Sequence, residues 1–155
     1  MGTTTFTGPV RSGTLKTGET SGSNTGPNIG LARLNQCATL IQSGGGLVQS
    51  VTLNIPVGSR ITSFEIDVLT AFDSATSATL TIGTSAGAST YVGSINAKTA
   101  GRASVTYSAA QLAAMAGLTT AGAASPTTAP VVITVTSVGA PTTGVVTVAV
   151  NYTQQ

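Results

Sequence analysis

Apolar and polar residues alternate with a period of two along most of this chain. In the stretch from Pro56 to Gly83, Phe64, Ile66 and Val68 alternate with Glu65, Asp67 and Leu69. That is the period of a strand with one buried face. Asp73-Ser-Ala-Thr-Ser follows, and Asp and Ser side chains bond nearby backbone in turns. Thr79 to Ile82 then makes a second short strand, and the unit reads as a central β-hairpin. Leu47 to Ile55 is another strand, with Val51, Leu53 and Ile55 on one face. Pro130–Val138 and Gly144–Tyr152 are almost continuously β-branched, and Gly139-Ala-Pro-Thr-Thr joins them into a second hairpin. Val146, Val148, Val150 and Tyr152 share one face of its last strand, opposite Val145, Thr147, Ala149 and Asn151. Shorter strands are expected at Thr90–Ile95 and Ser104–Tyr107, with Lys98–Arg102 as a turn between them.

Three stretches depart from this period. Leu31 to Gln42 holds residues suited to either helix or strand; in an all-β context it is assigned a strand, broken by Gly44-Gly-Gly46. Ser108-Ala-Ala-Gln111 matches a capping box, followed by a helix-forming run to Ala116 and a stop at Gly117. Leu112 and Met115 are expected on the buried face of that helix. Residues 1–30 are rich in Gly, Thr and Ser, with few apolar groups to offset ordering entropy. They read as an extended arm or long loop ahead of a domain over 31–155; composition alone fits a free tail equally well.

Seven or eight short strands separated by turns make an all-β chain. They predict a jelly-roll-like β-sandwich with one short helix. The inward residues Phe64, Ile66, Val68, Leu80, Ile133 and Val148 are its expected core.

Composition narrows the chemistry. Charged residues are 6% of the chain, against about 25% in ordinary soluble proteins. The last of them is Arg102, so the Val/Thr-rich remainder is free of formal charge. Such a surface suggests contact with another subunit, although a hydroxyl-rich surface also stays soluble without charge. The net charge of +2 is scattered over six basic residues, which gives nucleic-acid binding little support. There is no His and no Trp. Nucleophilic triads and zinc sites therefore lack their usual members. Glu65 and Asp67, about 7 Å apart on one strand face, are the most enzyme-like pair. Sugar sites usually add aromatic platforms, which are scarce here. The pair is read as a solvated strand face, paired with Arg60 or Lys98. Calcium on Glu65, Asp67 and Asp73 has no Asp-rich loop motif behind it. No cofactor and no metal is expected. Cys37, the single cysteine, is expected as a small buried apolar residue. No apolar run approaches the roughly 18 residues of a membrane span. The N-terminal stretch lacks the pattern of a signal peptide, and Phe6 breaks the myristoylation pattern. Export by the general secretory route and membrane attachment are not expected.

A further pattern lies in the order of short motifs. Gly8-Pro-Val-Arg-Ser-Gly13 precedes a Gly-rich segment and Leu34-Asn-Gln36. Ile55-Pro-Val-Gly-Ser59, Ile66-Asp-Val-Leu-Thr-Ala-Phe-Asp73, Ala78-Thr-Leu-Thr-Ile-Gly83 and Thr99-Ala-Gly-Arg102 follow. Ala109-Ala-Gln-Leu-Ala-Ala-Met115 and Val131-Val-Ile-Thr-Val135 complete the series. In this order the chain resembles small virion proteins of tailed bacteriophages, of the head-decoration or cement type. The resemblance implies a non-enzymatic homotrimer on the outer capsid surface, bound to the major capsid protein and assembled in the host cytoplasm. Another phage part, such as a head-fibre base, a tail protein or a host-binding adhesin, is the alternative. Within the arm, Phe6, Val10, Arg11, Leu15 and Lys16 are the candidate contacts: apolar groups for a shallow recess, cations for capsid acids.

Overall fold

The computed structural model describes residues 32–122 and 127–154. The expected arm, with Phe6, Val10, Arg11, Leu15 and Lys16, lies outside the described residues.

Eight strands form two four-stranded antiparallel sheets packed as a sandwich. The strands are β1 (Ala32–Ile41), β2 (Val48–Pro56), β3 (Ser59–Thr70), β4 (Ser77–Gly83), β5 (Val92–Asn96), β6 (Gly101–Arg102), β7 (Thr128–Val138) and β8 (Val145–Gln154). One sheet has the order β1-β8-β3-β6, the other β2-β7-β4-β5. First and last strands are neighbours, as are second and seventh, third and sixth, fourth and fifth. This nesting, with the pairs divided between two sheets, is the jelly roll.

The topology corrects both expected hairpins. β3 and β4 lie in different sheets, and so do β7 and β8. Residues 71–76 and 139–144 are arches that carry the chain from one sheet to the other. Among the described strands, only β4 and β5 are consecutive in one sheet. Alternation along a strand specifies which residues point inward, and it is the same for a hairpin and an arch. The neighbours of β7 and β8 are β2 with β4, and β1 with β3. Both charge-free strands are therefore interior to their sheets, paired by this chain itself.

Register puts apolar side chains between the sheets. Ile66 pairs with Val148 and Phe64 with Val150. Leu80 pairs with Val135, and Val51 with Ile133. All six residues expected as core are buried. Burying one such side chain is worth about 1.5–3 kcal/mol, so this layer dominates the favourable side of folding. Phe64 also stacks on Tyr91, with ring centroids 6.0 Å apart.

Helix α1 (Ala109–Ala116) forms where the capping pattern places it. Ser108 Oγ accepts from Gln111 N, and Gln111 Oε1 accepts from Ser108 N. Gln111 Nε2 also donates to Ser89 O at 3.2 Å, tying the helix start to the β4–β5 loop. This tether turns Gln111, Ala114 and Met115 inward. Met115 is buried, whereas Leu112 is 51% exposed, contrary to expectation. The helix packs against β3.

The short strand expected at Ser104–Tyr107 is shifted. Pairing in this region is confined to β6, with Asp67 opposite Arg102 and Val68 opposite Gly101. Ala103 N continues to Ile66 O, and Tyr107 instead anchors by its side chain, its hydroxyl accepting from Phe64 N.

After the helix, Thr119 fastens the chain to the β2–β3 turn. Its hydroxyl donates to Pro56 O and accepts from Ser59 N. Its backbone N–H donates to Ser59 O, and its carbonyl accepts from Gly58 N. Gly58 sits at φ +82°, which L side chains rarely adopt.

Candidate interaction surfaces

Four connections converge at one end of the sandwich: residues 42–47, 71–76, 97–100 and 139–144. Gln42 N donates to Gly144 O at 2.8 Å, Thr76 N to Val138 O at 3.0 Å and Phe72 N to Ala97 O at 3.0 Å. The buried Gln42 shapes the three-glycine loop, its Nε2 donating to Gly44 O and Gly46 O. Asp73 does not serve its own turn, as local chemistry suggested. Its carboxylate accepts from Thr142 Oγ1, Thr142 N and Thr143 N, in the β7–β8 arch. Those bonds, the Thr142 hydroxyl foremost, hold its pKa down at about 2. Lys98 Nζ donates to Ala75 O and Thr76 O. The charges at this end thus fasten loops together. Around them, Ile41, Leu47, Val48, Leu69 and Val138 are exposed. This is an apolar rim around loops that are hydrogen-bonded to one another.

The outer face of the β1-β8-β3-β6 sheet is polar. Asp67 is held by Arg102 rather than by Arg60 or Lys98, with Nε to Oδ1 at 2.8 Å and Nη2 to Oδ2 at 2.9 Å. The paired strands set this geometry, because Asp67 and Arg102 are cross-strand partners. The guanidinium bond lowers the Asp67 pKa. Glu65 accepts from Asn151 Nδ2 at 3.3 Å, and the same amide donates to Ser63 Oγ. Asn35 Nδ2 donates to Asn151 Oδ1, and Thr39 and Thr147 hydroxyls are 3.1 Å apart. A glycosidase-type general acid needs a raised pKa. Asp67 has the opposite, so Asp67 is unsuited to that role. Among the described residues, no group of three His, Cys, Asp or Glu is placed to hold a metal ion. No described helix is long and apolar enough to cross a membrane.

The two sides of the sandwich differ. On one side the edges are β5 and β6, of five and two residues. β5 pairs with a register shift, and Lys98 and Arg102 lie beside it. Short strands, irregular pairing and cations all discourage edge-to-edge pairing. An open polar groove of about 350 Å³ lies here, lined by Ser94, Asn96, Thr99, Arg102 and Ser104 among others. On the other side the edges are β1 and β2, of ten and nine residues. Arg33 is their one charged residue. Cys37 is exposed on β1, which corrects the expected burial. Leu40 is buried, so a period of two puts residues 37, 39 and 41 on the outward row.

The expected capsid contacts lie outside the described residues. The apolar rim was missed in the sequence. Its members come from strand ends and one loop, and only the topology collects them.

Comparison with known proteins gives a fold likeness. No family model matches the chain, and no curated protein does. A solved chain from the structure titled "Cyanophage Pam1 capsid asymmetric unit" is similar, with a TM-score of 0.54 and 19% identity. The likeness covers 94% of this chain and 100% of that one.

Proposed function

We propose that this chain is a structural protein of a tailed-phage virion, a decoration or cement protein. It binds the outside of the capsid and stabilises contacts between capsomers. The reading is carried by the likeness to a whole chain of a cyanophage capsid assembly. It is supported by the way Asp67, Arg102 and Asp73 tie strands and loops together.

In this reading the partner is the major capsid protein and the active form is a homotrimer. The N-terminal segment reaches its partner through Phe6, Val10, Arg11, Leu15 and Lys16. The apolar rim of Ile41, Leu47, Val48, Leu69 and Val138 offers a second contact. Binding only the assembled shell stabilises it by mass action. Three linked copies turn weak single contacts into firm attachment through effective concentration. With so few exposed charges, attachment should depend weakly on salt.

The test is co-sedimentation of the purified protein with expanded capsids that lack it. Saturable binding, followed by a raised disassembly temperature of the particles, is expected. Failure to bind such shells, with binding instead to tails or to host cells, overturns the reading.

A further inference from the structure

The unprotected side of the sandwich calls for a partner strand. Among the described residues β1 is a ten-residue edge with one charge, Arg33, near its start, and β2 beside it has none. The opposite side carries the devices that suppress strand addition. Among the described strands, that contrast singles out β1 as the edge suited to pairing.

We infer that the β1 edge takes up a strand from the N-terminal segment of a second copy of this chain, residues 3–7. Three observations select this occupant. First, the chain outside the described residues leads directly into Ala32, the first residue of β1. Second, Thr3-Thr-Thr-Phe-Thr7 is the one run of that segment made wholly of β-branched and aromatic residues. Such residues fit a pleated, half-buried surface. It is also uncharged, like the edge. Leu34 on β1 is 38% exposed, and an added strand carrying Phe6 would cover it. Third, residues 8–31 separate this run from β1. Loops that long are uncommon as returns to the same sheet, whereas 24 extended residues reach up to about 80 Å, enough to cross to a neighbour.

Addition of a strand to an open edge gives affinity through backbone hydrogen bonds. Passing an arm from one copy to the next is a head-to-tail contact, which makes a ring when the rotation closes. Closure at three copies is the homotrimer proposed above. The inference rests on that self-association and not on attachment to a shell. In this arrangement Phe6 serves the neighbouring copy instead of the capsid, and Val10, Arg11, Leu15 and Lys16, beyond the paired run, keep the capsid contact proposed above.

Cys37, central and outward on β1, supplies the test. Opposed residues on adjacent strands have Cα atoms about 4.5–5.5 Å apart, within disulfide range. Full-length chains carrying Cys37→Ser and one of Thr3→Cys, Thr4→Cys, Thr5→Cys, Phe6→Cys or Thr7→Cys are each mixed with the native chain and oxidised without capsids. The mixed dimer should form severalfold better at alternate positions, the signature of a strand. Equal yields along 3–7, or none, overturn the inference. So does efficient bridging only within a single chain that holds both Thr5→Cys and Cys37. Sedimentation of the native protein separates the failures. A trimer without these crosslinks removes the arm exchange alone, and a monomer removes the homotrimer as well.

Discussion

The carboxylate of Asp73 lies 2.6 Å from the hydroxyl of Thr142, although 69 residues separate them. This bond and two from backbone N–H groups join the β3–β4 and β7–β8 arches. The ionised form is favoured in the folded protein, where the pKa is about 2 against an ordinary 3.8. Its stabilisation is therefore complete above about pH 4 and is lost as pH falls towards 2. Asp67, also lowered, adds to the same acid-side loss. Asp73→Asn should lower the melting temperature at pH 7, and the gap to the native protein should narrow between pH 4 and 2. A gap independent of pH would show that the charge is not what joins the arches.

Gly144 is pressed against the ring of Phe72. A Cβ there would meet Cδ1, Cγ and Cε1 at 2.4–2.7 Å. Phe72 is buried between the sheets and cannot swing into solvent. Gly144→Ala should cost about 1–3 kcal/mol by overpacking, read from urea unfolding. The same change at Gly44, whose Cβ would meet nothing within 4 Å, tests backbone conformation without a clash, since its φ is +62°.

Thr119→Val keeps the shape of the side chain and removes both of its hydroxyl bonds. Ser59 is fully buried, so its N–H loses a partner that water does not replace. The expected loss is about 1–3 kcal/mol. Hydrogen exchange should localise it to the β2–β3 turn, with the opposite end of the sandwich unchanged.

Glu65→Gln with Asp67→Asn should leave the fold and capsid attachment nearly unaltered, because Glu65 is exposed and Asp67 half-buried on the outer face of the sheet, away from the core. Circular dichroism and co-sedimentation are the readouts. A hydrolytic activity present in the native protein and absent from this variant would overturn the structural reading.

Which residues face inward was legible in the sequence, strand by strand. The alternation of Phe64, Ile66 and Val68 survives in the structure, as does the capped helix after Ser108. Which sheet each strand joins was not legible. A six-residue connection fits a hairpin or an arch, and composition around Asp73 gives no sign that its partners lie in the β7–β8 arch. A buried aromatic at Phe72, inside the connection, is the one local signal of an arch, since a hairpin tip has no core to fill. Cys37 was misread because residue type was weighed over period; counting by two from Leu40 puts it outward. The apolar rim needed the topology, because Ile41, Leu69 and Val138 are far apart in the chain.

The seat of β8 between β1 and β3 bears on how the domain comes off the ribosome. Until residues 145–154 emerge, the first strand lacks the one neighbour it has among the described strands, and the third lacks one of its two. Nearly every other pairing also joins distant parts of the chain, which slows folding through loop closure. The nascent chain must hold Phe64, Ile66 and Val68 uncovered while seven strands wait for the eighth. Conditions that slow synthesis near that point should favour aggregation of incomplete chains over their maturation.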